Sequence, residues 1–248
     1  MSDAFALAGV VHLVRPVGRR AANLEELRLG IAEAPPTSLF YHAVQCQLRA
    51  PDGDELPPDD FSAWVEGVVQ DRETAERLSY VVQSAGAAAE PLRDALVATL
   101  LAAAASKRPG AAPPGGEFAF LAVDSVAVPT GEEAEDAGRL MELLASAGDS
   151  VWFHHFVERP WFEPGEPAPV RWLRARDEPR LAEALLEAVR AGRPVATMRR
   201  RVAARWRRHN LGLRLAEGAR RTEAERAAAG HAAVAGLVRR LKRPEPAP

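Results

Sequence analysis

With 248 residues, 47% hydrophobic and 27% charged, the chain is long enough for one large domain or two of about 100–150 residues around a sizeable core. Cys46 is the only cysteine, which excludes an intramolecular disulfide and a cysteine-based zinc cluster. The net charge of −2 hides a division: residues 193–248 carry fifteen Lys and Arg against four acids, a net +11, which leaves −13 for residues 1–192.

The opening MSDAFALAGVVHLVRP has no basic leading region and carries Asp3, so it does not read as a signal peptide. The longest apolar run, 95–105, is about half of the roughly 20 residues that span a bilayer. A soluble, cytoplasmic protein without membrane association is the expectation.

In chain order, FALAGVVHLVRPVG (5–18) is apolar, β-branched and closes in Pro-x-Gly, the pattern of a short strand ending in a turn. AANLEELRLGIAEA (21–34) spaces Leu24, Leu27 and Ile31 on one helical face. SLFYHAV (38–44) reads as a helix with Ser38 as N-cap. DDFSAWVEGVV (59–69) sets Phe61, Trp64, Val65, Val68 and Val69 on an amphipathic face behind an Asp60 cap, which makes Trp64 a core residue. AERL (75–78) follows, then a Pro-initiated helix PLRDALVATLLAAAA (91–105). KRPGAAPPGG (107–116) continues neither helix nor central strand and reads as a linker.

The same order then recurs. FAFLAVDSVAVPTG (118–131) matches the first strand, AEDAGRLMELLASA (134–147) the first helix, and SVWFHHF (150–156) the SLFYHAV segment, with Ser150 against Ser38 and His154 against His42. From leading Phe to Ser is 33 residues in the first half and 32 in the second. Pro160 is expected to end the second histidine helix. Trp172 answers Trp64, AEAL (182–185) answers AERL, and PVATMRRRVAARWRR (194–208) is the second Pro-initiated helix. The reading is an internal duplication within an α+β, predominantly helical fold: two related halves, each a short strand followed by several helices, packed about an approximate two-fold. The divisions are 1–106 for the first half, 107–116 for the linker, 117–208 for the second half, and 209–248 for a basic, Ala-rich helix and disordered tail.

The Pro-Thr-Gly strand, the Ser-aliphatic-aromatic-aromatic-His segments and DDFSAW together resemble a bacterial and archaeal domain family of unknown function. The resemblance covers roughly residues 1–200. The second half departs from the pattern: His155 adds a histidine, and RPWFEPGEP stands where a basic helical continuation and an Asp-Phe element belong. The resemblance implies no activity and transfers no catalytic residue.

Chemistry can be placed in few positions. Adjacent His154 and His155 point about 100° apart on a helix, which does not suit one metal ion, and no His-Glu-x-x-His is present. No metal and no cofactor are expected. Cys46 lies four residues after His42, the spacing of helical neighbours, but reads as a buried inert thiol. No Walker A or Gly-x-Gly-x-x-Gly occurs. A site between the halves would be lined by His42, His154, Glu76 and Glu183. Arg200 and Arg207, on a helix whose stripe is Met198, Val202 and Trp206, belong to a basic segment, 193–243, suited to an anionic partner. The function read from all this is a binding, regulatory or assembly module for a protein or small-molecule partner. The alternatives are an enzyme at the interface between the halves, or anion or nucleic-acid binding through the basic segment.

Overall fold

The computed structural model describes residues 4–49, 57–84, 88–106, 110–189 and 194–208, together with 223 and 228. The chain divides into two compact units, Met1–Ala203 and Ala204–Pro248. The basic, Ala-rich helix and tail expected over 209–248 lie outside the described residues, apart from 223 and 228.

The first unit is mostly helical around a two-stranded antiparallel ribbon, β1 (Phe5–Ala21) and β2 (Phe118–Ala134). These strands are long, 17 residues each, rather than short. They run three residues past the Pro-x-Gly signals because Pro16 and Gly18 sit at an irregularity of the ladder, between Pro16 and Arg20, and do not end it. Gly18 and Gly131 take left-handed φ of 82° and 77°, a conformation glycine adopts without a Cβ penalty.

Each strand is followed by a run of helices. After β1 come α1 (Leu24–Glu33), α2 (Pro36–Ala43), α3 (Asp60–Trp64), α4 (Arg72–Ser84) and α5 (Ala89–Ser106). After β2 come α6 (Ala137–Ser146), α7 (Asp149–Phe153), α8 (Arg159–Phe162), α9 (Ala168–Ala175) and α10 (Pro179–Val189), and residues 195–208 are helical. Single π-helical turns, Val65–Val69 and His154–Glu158, extend α3 and α7.

The caps explain where several helices begin. Asn23 accepts the Glu26 N–H at 2.9 Å, and Glu26 reaches back to the Ala22 N–H, a reciprocal cap that starts α1 three residues later than the apolar pattern suggests. Asp136 caps α6 by accepting the Arg139 N–H. Asp59, not Asp60, caps α3. Ser38 and Ser150 lie inside their helices, which are entered from Pro35 and Gly148. Pro160 occupies the first turn of α8, where no N–H is needed, and so continues the helical path it was expected to stop.

The core sits where the ribbon meets these helices. Leu24, Leu27 and Ile31 of α1, Leu96 and Leu100 of α5, and Leu140 and Leu144 of α6 are buried with Phe40, Phe61, Phe120, Trp152 and Phe153. Trp64 is in this core, its indole N–H held by the Gly116 carbonyl at 2.7 Å. Gly30 on α1 lies directly under the Phe120 ring, where a Cβ would overlap it.

The ribbon register has a regularity of its own. Adding 113 to a residue number carries Phe5 to Phe118, Pro16 to Pro129 and Gly18 to Gly131. The same shift carries the Asn23 cap to Asp136 and the Ala34 end of α1 to the Ala147 end of α6. Under that shift the pair Phe5–Ala134 becomes Ala21–Phe118, and Ala8–Pro129 becomes Pro16–Leu121, both of which are pairs of the ladder. His12–Ser125 maps onto itself, at the ribbon centre.

Candidate functional site

The histidines gather on the inner side of the ribbon, because α2 and the α7 turn present them to the opposite strand. His42, on α2, accepts the Leu121 N–H of β2 at its Nε2, 2.9 Å away. That bond puts the ring proton on Nδ1, which donates to Asp60 Oδ2 at 2.9 Å. Asp60 in turn receives Arg49 at 3.1 Å. Burial pulls the His42 pKa below its ordinary value against the opposing pull of Asp60. Burial would raise Asp60, but the bonds from His42 and Arg49 outweigh it and leave its carboxyl low.

His155 does for β1 what His42 does for β2. Its Nε2 accepts the Ala8 N–H at 3.2 Å, and Ala8 is the residue that the 113 shift pairs with Leu121. Phe5 packs at a tilt against His155 as Phe118 packs against His42, with ring centroids 5.3 and 4.7 Å apart. Trp172 meets Phe5 edge-on as Trp64 meets Phe118. The geometric counterpart of His42 is therefore His155, one residue beyond the sequence match to His154. The Phe-to-Ser spacings of 33 and 32 carried that slip: a spacing of 33 from Phe118 reaches Val151, not Ser150. His155 differs in one respect, since among the described residues its buried Nδ1 has no hydrogen-bond partner where His42 has Asp60. Burial, with the His154 and Arg159 charges alongside, holds its pKa down to about 4.

His154 turns to a different group. Its Nδ1 donates to Glu158 Oε2 at 3.2 Å, one turn along the helix. Glu158 Oε1 accepts His12 Nε2 at 2.9 Å and the hydroxyl of Ser125. One buried carboxylate thus joins β1, β2 and the π turn at the ribbon centre. Burial would raise Glu158, but the bonds from His12, His154 and Ser125 prevail and hold it at about 2. The His12 ring packs edge-on against Phe40 and Phe153, at 5.9 and 5.8 Å.

The remaining candidates lie away from this cluster. Glu76 pairs with Arg72 at 2.8 Å and lines a surface groove of about 580 Å³ between α4 and α5, with Tyr80, Ala98 and Thr99. Glu183 pairs with Arg174 at 3.0 Å, also on the surface. The carboxylates that face His42 and His154 are Asp60 and Glu158. Arg200 donates to Thr197 at 3.0 Å, and Arg207 is an exposed residue of the second unit. Cys46 is buried, with its thiol directed to the Ala43 carbonyl, and burial pushes its pKa up to about 12, far from a reactive thiolate. Among the described residues, no group of three or more His, Cys, Asp or Glu is placed to hold a metal ion. No helix among them is long and apolar enough to cross a membrane.

His12, Ser125 and Glu158 were not read from the sequence. His12 falls at the midpoint of an apolar strand, where a lone imidazole carries no pattern, and its partner is 146 residues away.

Comparison with known proteins agrees with this architecture. The solved structure of OrfY from Thermoproteus tenax superposes with a TM-score of 0.66 at 24% identity, covering 82% of this chain and 94% of that one, a likeness of fold. No curated protein matches the chain. The model of a family of unknown function (DUF5752) matches residues 2–204, the whole ribbon and its helices, and the chain belongs to that family.

Proposed function

We propose that the protein is a binding or assembly module of two related halves, 1–106 and 117–208 joined by 107–116, and not a catalyst. The observation that carries this reading is how the imidazoles are used. Both nitrogens of His42 are engaged, one by a strand N–H and one by Asp60, and His154 is held by Glu158. His42, His154 and His155 are 3–8% exposed. A general base needs a free nitrogen within reach of substrate; His42 has both nitrogens engaged, and the His154 and His155 rings are buried. The matching pairs at the 113 shift support descent of the halves by internal duplication, with each half's histidine helix holding the other half's strand.

A metabolite screen read by thermal shift tests this, followed by product analysis of any compound that raises the melting temperature. The module reading expects no compound to be consumed. Turnover of any compound by the purified chain overturns it.

A second role, contact with an anionic partner through residues 193–243, is favoured by the net +11 of residues 193–248. It expects retention on heparin that falls steeply with salt.

A further inference from the structure

The two halves differ at one carboxylate. In the first half the His42 Nδ1–H donates to Asp60, the first residue of α3. Trp64, four residues on, meets Phe118 edge-on at 5.8 Å. In the second half His155 accepts the Ala8 N–H at Nε2, so its ring proton is also on Nδ1. α9 packs against the turn that carries His155, and its Trp172 meets Phe5 edge-on at 5.9 Å. Counting back four residues from Trp172 reaches Ala168, the first residue of α9. The Asp-Phe element that the second half lacks thus falls at Ala168 and Pro169. A methyl group stands where Asp60 receives a proton in the first half.

The surroundings of Ala168 suit a small anion. It lines a cleft of about 10 Å³, room for one water-sized group, together with Arg159, Arg171, Glu163 and Glu166. The two acids are taken by arginines, Glu163 by Arg159 at 2.6 Å and Glu166 by Arg174 at 3.0 Å. Arg171 has no ion-pair partner among the described residues. Asp59 caps α3 through its side chain, whereas α9 begins at Pro167 without a side-chain cap, and the start of a helix favours negative charge. His155 is 5% exposed, and no described residue accepts its Nδ1–H. A buried donor of this kind calls for an acceptor.

We propose that the start of α9 is a seat for one carboxylate group, which accepts the His155 Nδ1–H as Asp60 accepts that of His42 and is held by Arg171. A free small acid and the Asp or Glu side chain of a partner carry the same group. The narrow cleft admits the tip of either and not a whole metabolite. The proposal rests on the binding reading above and gives it a ligand chemistry.

Nitrogen NMR of the full chain, isotope-labelled at histidine, tests this with sodium formate as the probe and sodium chloride at equal ionic strength as the reference. Formate is expected to shift the His155 Nδ1 resonance saturably and to leave the His42 resonances unmoved. Ala168→Asp supplies the carboxylate within the chain. Its Nδ1 resonance moves toward that of His42 without formate, its response to formate falls at least tenfold, and its melting temperature rises by about 3 °C. A charge acting only on the helix end would raise the melting temperature without moving Nδ1. A blocked Gly-Asp-Gly peptide separates the sources. Binding at least tenfold tighter than formate assigns the seat to a partner's side chain, and equal or weaker binding assigns it to a free small acid. A wild-type Nδ1 that ignores both formate and peptide overturns the proposal, as does a shift that chloride reproduces; neither result depends on a variant. A folded Ala168→Asp chain with Nδ1 unmoved also overturns it. In those cases the module reading still stands, since it falls only on turnover of a metabolite.

Discussion

The His42 imidazole accepts the Leu121 N–H at 2.9 Å across 79 residues of sequence, and His155 accepts the Ala8 N–H across 147. In both cases a helix that follows one strand holds the other strand, so the two strands are secured crosswise. The following expectations test that crossing and the carboxylate at its centre.

Replacing His42 with alanine leaves a buried strand N–H and the Asp60 carboxylate without their partner and opens a void among Phe61, Phe118 and Phe120. An orphaned buried donor costs about 1–3 kcal/mol, and the void adds to it. His42→Ala is expected to lower unfolding free energy by about 2 kcal/mol or more, read from the urea midpoint at unchanged slope. Tyr80→Ala, at a position 72% exposed, serves as the control and changes stability by about 0.5 kcal/mol or less. Equal losses at the two positions would contradict the strand-holding role.

The folded chain holds His155 at about 4, below its ordinary 6.5. The unfolded chain therefore binds this proton first as pH falls, and the contribution to stability, intact above 6.5, is lost progressively down to about 4. A shift of this size corresponds to about 3 kcal/mol. His42, also lowered, acts in the same direction. Unfolding free energy measured by urea titration is expected to be level from about pH 8 to 6.5 and to decline between 6.5 and 4. A rise over that interval would mean that His155 gains, not loses, affinity for its proton on folding.

Glu158 acts at lower pH. Its folded pKa of about 2 lies below the ordinary 4.5, so its contribution is present above 4.5 and disappears as pH falls through 2. Glu158→Gln removes the charge that His12, His154 and Ser125 share, at an expected cost of about 2–4 kcal/mol at about pH 7. The variant and the wild type should converge near pH 2, where the wild-type carboxylate is itself being protonated. A constant gap between the two across this whole range would locate the loss in packing rather than charge.

Gly30→Ala separates propensity from packing. In an exposed helix the change gains about 1 kcal/mol. Here the new methyl overlaps the buried Phe120 ring, so a net loss of about 1–3 kcal/mol in thermal or urea unfolding is expected. Any gain in stability would show that the α1–β2 contact is looser than the geometry states.

The sequence by itself determined the elements and their order. Leu24, Leu27 and Ile31 mark α1 by their spacing, the 59–69 pattern marks α3 and buries Trp64, and the apolar, β-branched runs from Phe5 and from Phe118 mark two strands; all of these are local signals read within a few turns of chain. The recurring order of elements was legible for the same reason. Tertiary structure alone decided which histidine belongs where. His154 was matched to His42 by residue type, yet it is His155 that meets a strand N–H, because the choice depends on which face of the α7 turn lies against β1. Only folding brings Glu158 to His12 and Ser125, through contacts that span 146 and 33 residues. Asp60 and Glu158, not Glu76 and Glu183, became the acids of the histidines for the same physical reason. A carboxylate loses its water when it enters a core and must find donors there, whereas one on a surface helix pairs with a nearby arginine, as Glu76 does with Arg72 and Glu183 with Arg174.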